Sequence, residues 1–176
     1  EKEPLYGSGN QHFHYILLLL EMAKANNVID WGCGKGVLAK ELSSLGVNCG
    51  KFDPAIPEFS QLPDSKFDVA ISTDVFEHIP AEYLHDTLTE IARVSTSAII
   101  VPHLDLATTI LPDGSNAHCT IKTPSEWEHE FRKFYSVVHL LPHHSHLHAL
   151  FWCSNTIKVT PIVEELCAYL STAQKG

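Results

Sequence analysis

The stretch Val28-Ile29-Asp30-Trp31-Gly32-Cys33-Gly34-Lys35-Gly36 decides the fold. Val28, Ile29 and Asp30 read as a short buried strand, and the glycines at 32, 34 and 36 read as a turn that lets a ligand approach backbone no side chain would permit. Lys35 to Leu45 then resumes helical spacing through Leu38, Leu42 and Leu45, with Gly46 placed as its left-handed terminator. Strand, glycine turn and helix form a nucleotide-type site. A dinucleotide site wants its last glycine three residues after the second, where this chain has Val37, so a nicotinamide-dependent oxidoreductase is disfavoured. An acid two positions before the first glycine is a poor neighbour for a pyrophosphate and a suitable one for an ammonium group. The ligand should carry a cation near the loop.

Outward from this turn, strands and helices alternate. His12 to Lys24 places Phe13, Ile16, Leu17, Leu20 and Ala23 on one apolar stripe, a covering helix. Val47 to Phe52 is a second strand ending at Asp53, after which Pro54, Pro57 and Pro63 leave little room for regular structure. Phe67 to Ser72 is a strand, Ala81 to Val94 a helix with Leu84, Leu88, Ile91 and Ala92 inward, and Ser97 to Val101 another strand. His103 to Thr120 is a long irregular segment of the kind that lines a substrate pocket. Thr123-Pro124-Ser125-Glu126 is a capping box with proline at the first helical position, opening a helix whose Trp127, Phe131 and Phe134 belong to the core. Ser136 to Leu141 and Ala149 to Val159 are strands joined by a histidine-rich turn, and Pro161 to Leu170 is a terminal helix. Such alternation indicates parallel right-handed crossovers with helices on both faces of a sheet.

At 176 residues, 44% hydrophobic and 19% charged, the chain has the size and composition of one globular domain. We divide it into an N-terminal covering helix and lid at 1–27, a cofactor-binding half at 28–102, and a substrate-side half with the terminal helix at 103–176. A net charge of -9 with 12 scattered Lys and Arg residues argues against nucleic acid or an anionic membrane as partner. The apolar run from Tyr15 to Leu20 meets Glu21 after six residues, too short for a membrane span. A start at Glu1 rather than methionine fits a trimmed end or a longer parent chain. Five cysteines without paired spacing fit neither a disulfide framework nor a zinc knuckle, and point to a reducing cytoplasmic setting.

The glycine turn resembles the first motif of the class I S-adenosylmethionine-dependent methyltransferases, and the similarity continues in order across about 28–140. The resemblance implies a Rossmann-like, doubly wound, seven-stranded sheet, six strands parallel and the last inserted antiparallel, with one middle strand reduced because the stretch from Asp53 to Phe67 is short. It also implies that Asp30, Gly32 and Gly34 sit beside the cofactor's amino group within a turn completed by Cys33 and Gly36. Asp53, followed by Pro54, would hold the ribose hydroxyls. Leu62 to Val69 is similar to the run entering the fourth strand of the type-11 branch, in which Glu58 would face the adenine amine and Phe59 would wall the adenine slot. Ser72 to Ile79 is similar to that branch's next motif, placing Thr73, Asp74 and His78 near the sulfonium. Tyr6 and Gln11 fall where related enzymes carry a lid.

What the resemblance implies is transfer of a methyl group from S-adenosylmethionine, leaving S-adenosylhomocysteine, to an oxygen, nitrogen or carbon of a small molecule. A cofactor-binding regulatory module without activity of its own is the alternative. Such a transfer needs alignment and at most one base. His78 and His103 are the candidates, with His118 behind them, since all fall where this fold places its substrate and histidine titrates near neutrality. The group His143, His144, His146 and His148 invites a metal reading. In sequence no acid or cysteine stands near enough to complete a shell, so no metal is expected.

Overall fold

The structure, a computed structural model, describes residues 9–156. Six strands form one sheet: β1 (Asn27–Trp31), β2 (Asn48–Phe52), β3 (Val69–Thr73), β4 (Ser97–Val101), β5 (Val137–Leu141) and β6 (Leu150–Ser154). Their order is β2-β1-β3-β4-β6-β5, with β1 parallel to β2 and β3, β3 parallel to β4, and β6 antiparallel to both neighbours. The inserted antiparallel strand is the one expected. Where seven strands are expected, the described residues contain six. Between Asp53 and Phe67 the chain makes only a 3-10 turn at Pro57–Phe59, because the prolines withhold the amides a ladder would need. The expected terminal helix at 161–170 and the lid residue Tyr6 lie outside the described residues.

Among the described residues four helices cover the sheet: α1 (Phe13–Ala23), α2 (Val37–Ser44), α3 (Leu84–Val94) and α4 (Pro124–Phe131). Strand residues alternate between the faces. Val28, Val69, Ile71 and Ile99 pack beneath α1 and α2, while Ile29, Ala70, Ala98 and Ile100 pack beneath α3 and α4. The layers are those of a doubly wound α/β fold. Tyr15, Ile16, Leu19 and Leu20 are the buried residues of α1, whereas Phe13, Leu17 and Ala23 of the expected stripe are half-buried. The helix is rotated from that stripe because the Tyr15 hydroxyl accepts a hydrogen bond from the His144 amide at 3.1 Å, fixing α1 to the histidine turn.

Local signals position the later elements closely. Thr123 Oγ1 accepts from the Glu126 amide while the Glu126 carboxylate accepts from the Thr123 amide at 2.7 Å, a complete capping box. Trp127 and Phe131 of α4 are fully buried against Phe76 and Phe151. Among the described residues no helix is long and apolar enough to cross a membrane.

Candidate functional site

Gly32, Gly34 and Gly36 all have positive φ, at 79°, 50° and 71°, which is the physical reason for alternating glycines after β1. At Gly32 an added Cβ would also overlap the Val75 side chain. At Gly34 it would meet no protein atom within 4 Å, so this backbone opens onto the adjoining cavity. The Gly34 amide donates to Asp53 Oδ2 at 2.8 Å, tying the turn to the end of β2.

Asp30 lies under this turn, 3% exposed. Burial pushes its carboxyl up to about 7, with Asp53 repelling its charge, against a hydrogen bond from the Ala39 amide in the first turn of α2 and the nearby Lys51. Its Oδ2 is buried without a hydrogen-bond partner. A buried acid of this kind calls for a proton or a cation.

The cavity measures about 890 Å³ and opens at the carboxyl ends of β1, β3 and β4, where open α/β sheets bind ligands. Asp30, Gly32, Cys33, Gly34, Thr73, Asp74, His78, His103 and His118 line it together. So does Gln11, whose amide donates to Asp74 Oδ2 at 3.2 Å. Asp53 touches this group through Gly34, and Gly36 is buried at the start of α2. Gly36, Asp53, Pro54, Glu58 and Phe59 are not among the lining residues. Glu58 is exposed on the 3-10 turn, and the Phe59 ring lies 4.0 Å from Lys51 Nζ.

Beyond Asp74 the cavity is walled by the irregular segment after β4, as expected of it. Asn116 holds that segment in shape: its carbonyl accepts from the Ala107 and His118 amides at 3.0 and 2.9 Å, and its amide donates to the Ala107 carbonyl. Three imidazoles converge here, His118 standing 4.7 Å between ring centroids from both His78 and His103. Each has Nδ1 engaged by backbone, His78 at the Ala117 carbonyl, and His103 and His118 at the Asp105 carbonyl. Burial and the neighbouring His148 hold His103 below the usual histidine range. Exposed apolar side chains rim the mouth, with Leu106 63% exposed beside Leu111 and Leu147.

Glu77 and His12 were not singled out as candidates in the sequence, and His148 only within the histidine group. Glu77 is fully buried under the cavity, and burial with the adjacent Asp74 charge pushes its carboxyl up to about 8. His12 and His148 approach Asp74 at 3.4 and 3.0 Å. The signal for His12 was the polar residue heading an apolar helix; for His148 it was the histidine-rich turn.

A methyltransferase domain family model matches residues 10–152. The chain belongs to that methyltransferase domain family. The motifs quoted above thus lie in a methyltransferase of the S-adenosylmethionine-dependent class. No curated protein matches it in sequence. Among solved structures the methyltransferase is similar to the methyltransferase domain of bacterial CtHen1 (TM-score 0.62, 18% identity, 82% of this chain and 98% of that one). It is also similar to DhpI in complex with S-adenosylhomocysteine (0.62, 13%, 85% and 88%). The magnesium protoporphyrin IX methyltransferase of Synechocystis PCC 6803 aligns at 0.57 and 15%, over 84% of each chain. At these identities what is shared is the fold.

Proposed function

We propose that this methyltransferase binds S-adenosylmethionine between the glycine turn and β3, and methylates an oxygen, nitrogen or carbon of a small molecule with an apolar body. The observation that carries this reading is Asp30: a buried carboxylate with one unpartnered oxygen, beneath a turn whose backbone opens onto the cavity. The cofactor's amino-acid ammonium supplies the cation this site lacks, and Gly34 leaves room for it. Asp53, held at the turn by the Gly34 amide, is the acid for the ribose diol. Thr73, Asp74 and His78 flank the reacting end, while Pro54, Glu58 and Phe59 form the outer adenine edge. The volume falls within the roughly 300–1,000 Å³ of small-molecule sites, room for a cofactor beside an acceptor.

The bound cofactor supplies an already activated methyl group. The chain's residues align the acceptor and take its proton. His103 fits the base: the Asp105 amide and carbonyl both lie within hydrogen-bond distance of its Nδ1, and the tautomer that donates to the carbonyl leaves the Nε2 lone pair at the acceptor end of the cavity. The leucines at the mouth suit the acceptor's apolar part, and the acidic balance of the chain disfavours nucleic acid. Residues 28–102 then form the cofactor half and 103–176 the acceptor half of a single domain. The alternative of a binding module without activity would favour a closed pocket beside Asp74 and His103; here both residues line one cavity with the acceptor-side loop. The test is calorimetry with S-adenosylhomocysteine, followed by detection of methylated product across amphiphilic hydroxyl, amine and acidic-carbon acceptors. No cofactor binding overturns the cofactor assignment, and binding without turnover returns the module reading.

A further inference from the structure

His12 begins α1, yet its side chain is 0% exposed, among the most deeply buried polar groups described. Its Nε2 points at Asp74 Oδ2 from 3.4 Å without hydrogen-bond geometry, so a buried imidazole nitrogen is spent on no hydrogen bond. From the opposite side His148, with a side chain 7% exposed, brings Nε2 to 3.0 Å from Asp74 Oδ1. One ligand-capable atom from each of the three residues lies within 4.8 Å of the others. The Gln11 amide nitrogen stands at the edge of this group, 3.2 Å from Asp74 Oδ2 and 3.4 Å from His148 Nε2, a donor in the place that a bound cation would take over.

The outer nitrogens are also provided for. His12 Nδ1 is 3.1 Å from His143 Nε2, and His143 Nδ1 is 3.3 Å from the Ser145 carbonyl. The Ser145 amide donates to His143 Nδ1 at 3.2 Å in one tautomer; in the other, Nδ1 donates to the Ser145 carbonyl, His143 Nε2 accepts from His12 Nδ1, and the His12 Nε2 lone pair faces inward, which is the tautomer a bound ion selects. His148 Nδ1 lies 3.1 Å from Ser145 Oγ, so the same assignment turns its Nε2 lone pair inward too. Histidines that bind metals are oriented in this way, by a partner on the nitrogen that does not ligate.

We propose that His12, Asp74 and His148 form a binding site for a first-row divalent ion of the zinc type at the inner end of the cavity. Two imidazoles and one carboxylate suit such an ion, and leave coordination positions open. Asp74 and His148 line the cavity, so those positions face the acceptor. An acceptor hydroxyl on the ion would lose its proton at lower pH and arrive as the nucleophile. That role rests on the methyl-transfer reading above; the ion site itself does not.

The experiment uses the untagged chain, stripped with EDTA, and titrates Zn²⁺ alone by calorimetry and Co²⁺ by visible absorption, with S-adenosylhomocysteine binding measured on the same samples. One equivalent of Zn²⁺ per chain is expected, with Co²⁺ developing d–d bands of a nitrogen-containing site. His148→Ala and His12→Gln should each weaken Zn²⁺ binding about 10–100-fold while circular dichroism shows the fold retained. His144→Ala, in a ring stacked on Tyr15, should leave it unchanged. The wild-type Co²⁺ spectrum needs no substitution, so a variant that fails to fold does not remove the test. No stoichiometric binding by the folded wild type overturns the proposal. So does binding that survives His148→Ala and disappears in His118→Ala, which would move the ion to the neighbouring Glu77, His78 and His118. Ion binding without S-adenosylhomocysteine binding would sustain this site and sink the cofactor reading; the converse would do the opposite.

Discussion

Asp30 couples cofactor affinity to pH in a way that can be worked out in advance. Its carboxyl lies at about 7 in the free protein, and only the ionised form can pair with the cofactor's ammonium group. Roughly a tenth of the chains are ionised at pH 6 and about nine-tenths at pH 8, so the apparent dissociation constant for S-adenosylhomocysteine should fall about tenfold across that interval and level off above it. Stability moves the other way. Between the unfolded value of 3.8 and the folded value of about 7 the native state holds a proton that the unfolded chain has released. Native stability is therefore greatest below that window and declines through it, by about 1.4 kcal/mol per pH unit and on the order of 4 kcal/mol in all. Asp30→Asn removes both dependences: its denaturation midpoint should flatten with pH relative to wild type, and its cofactor affinity should be weak at every pH. The assay is calorimetry at pH 6, 7 and 8 in one ionisation-matched buffer series, with urea denaturation alongside. The difference between wild type and Asp30→Asn is the quantity that counts, since every other group is common to both proteins. Identical slopes in the two proteins would refute the assignment.

Gly34→Ala places a Cβ in open space at φ 50°, so it should cost only about 1 kcal/mol of backbone strain yet weaken cofactor binding strongly; affinity equal to wild type would show that nothing seats there. Gly32→Val should instead damage the fold as well, since its Cβ collides with Val75, and a thermal melt beside that of Gly34→Ala separates the two effects. His103→Gln should lower kcat by about 10²–10⁴ with S-adenosylhomocysteine affinity unchanged, whereas loss of cofactor binding would make it a positioning residue. Thr123→Ala should cost about 1 kcal/mol through the lost cap of α4, read as a lowered urea midpoint with little change in the denaturant slope.

What was legible in the sequence was whatever local chemistry dictates. Alternating glycines announced a turn open to a ligand, and the structure gives all three a positive φ. Threonine, proline and glutamate at fixed spacing announced the capping box. The strand seats of Val28–Asp30 and Ser97–Val101 were readable because buried parallel strands are continuous apolar runs. The rotation of α1 was not, since its helix is apolar nearly all round and a tertiary bond from Tyr15 to the His144 amide selects the buried face. Nor were the environments of Asp30 and Glu77, whose raised carboxyl values arise from burial that only the assembled layers create.

At the histidine turn the fold brings in partners that spacing along the chain does not reveal. In sequence no acid stands near His143 to His148, a distance that speaks against an ion. Strand direction removes it. Because β6 enters the sheet antiparallel to β4, its first residues lie beside the last residues of β4, and the bridge between His103 and His148 marks that junction. The carboxyl end of β3 is the next position along, and there Asp74 adopts φ 54°, a left-handed conformation that aspartate tolerates better than most residues, with its amide donating to the Val101 carbonyl. An antiparallel last strand therefore delivers a turn from the far end of the sequence to the same edge where the parallel strands present their acids. Had β6 run parallel, its leading turn would lie at the opposite edge of the sheet, and His148 could not reach Asp74. The same strand that completes the sheet thus supplies the imidazoles at the inner end of the cavity.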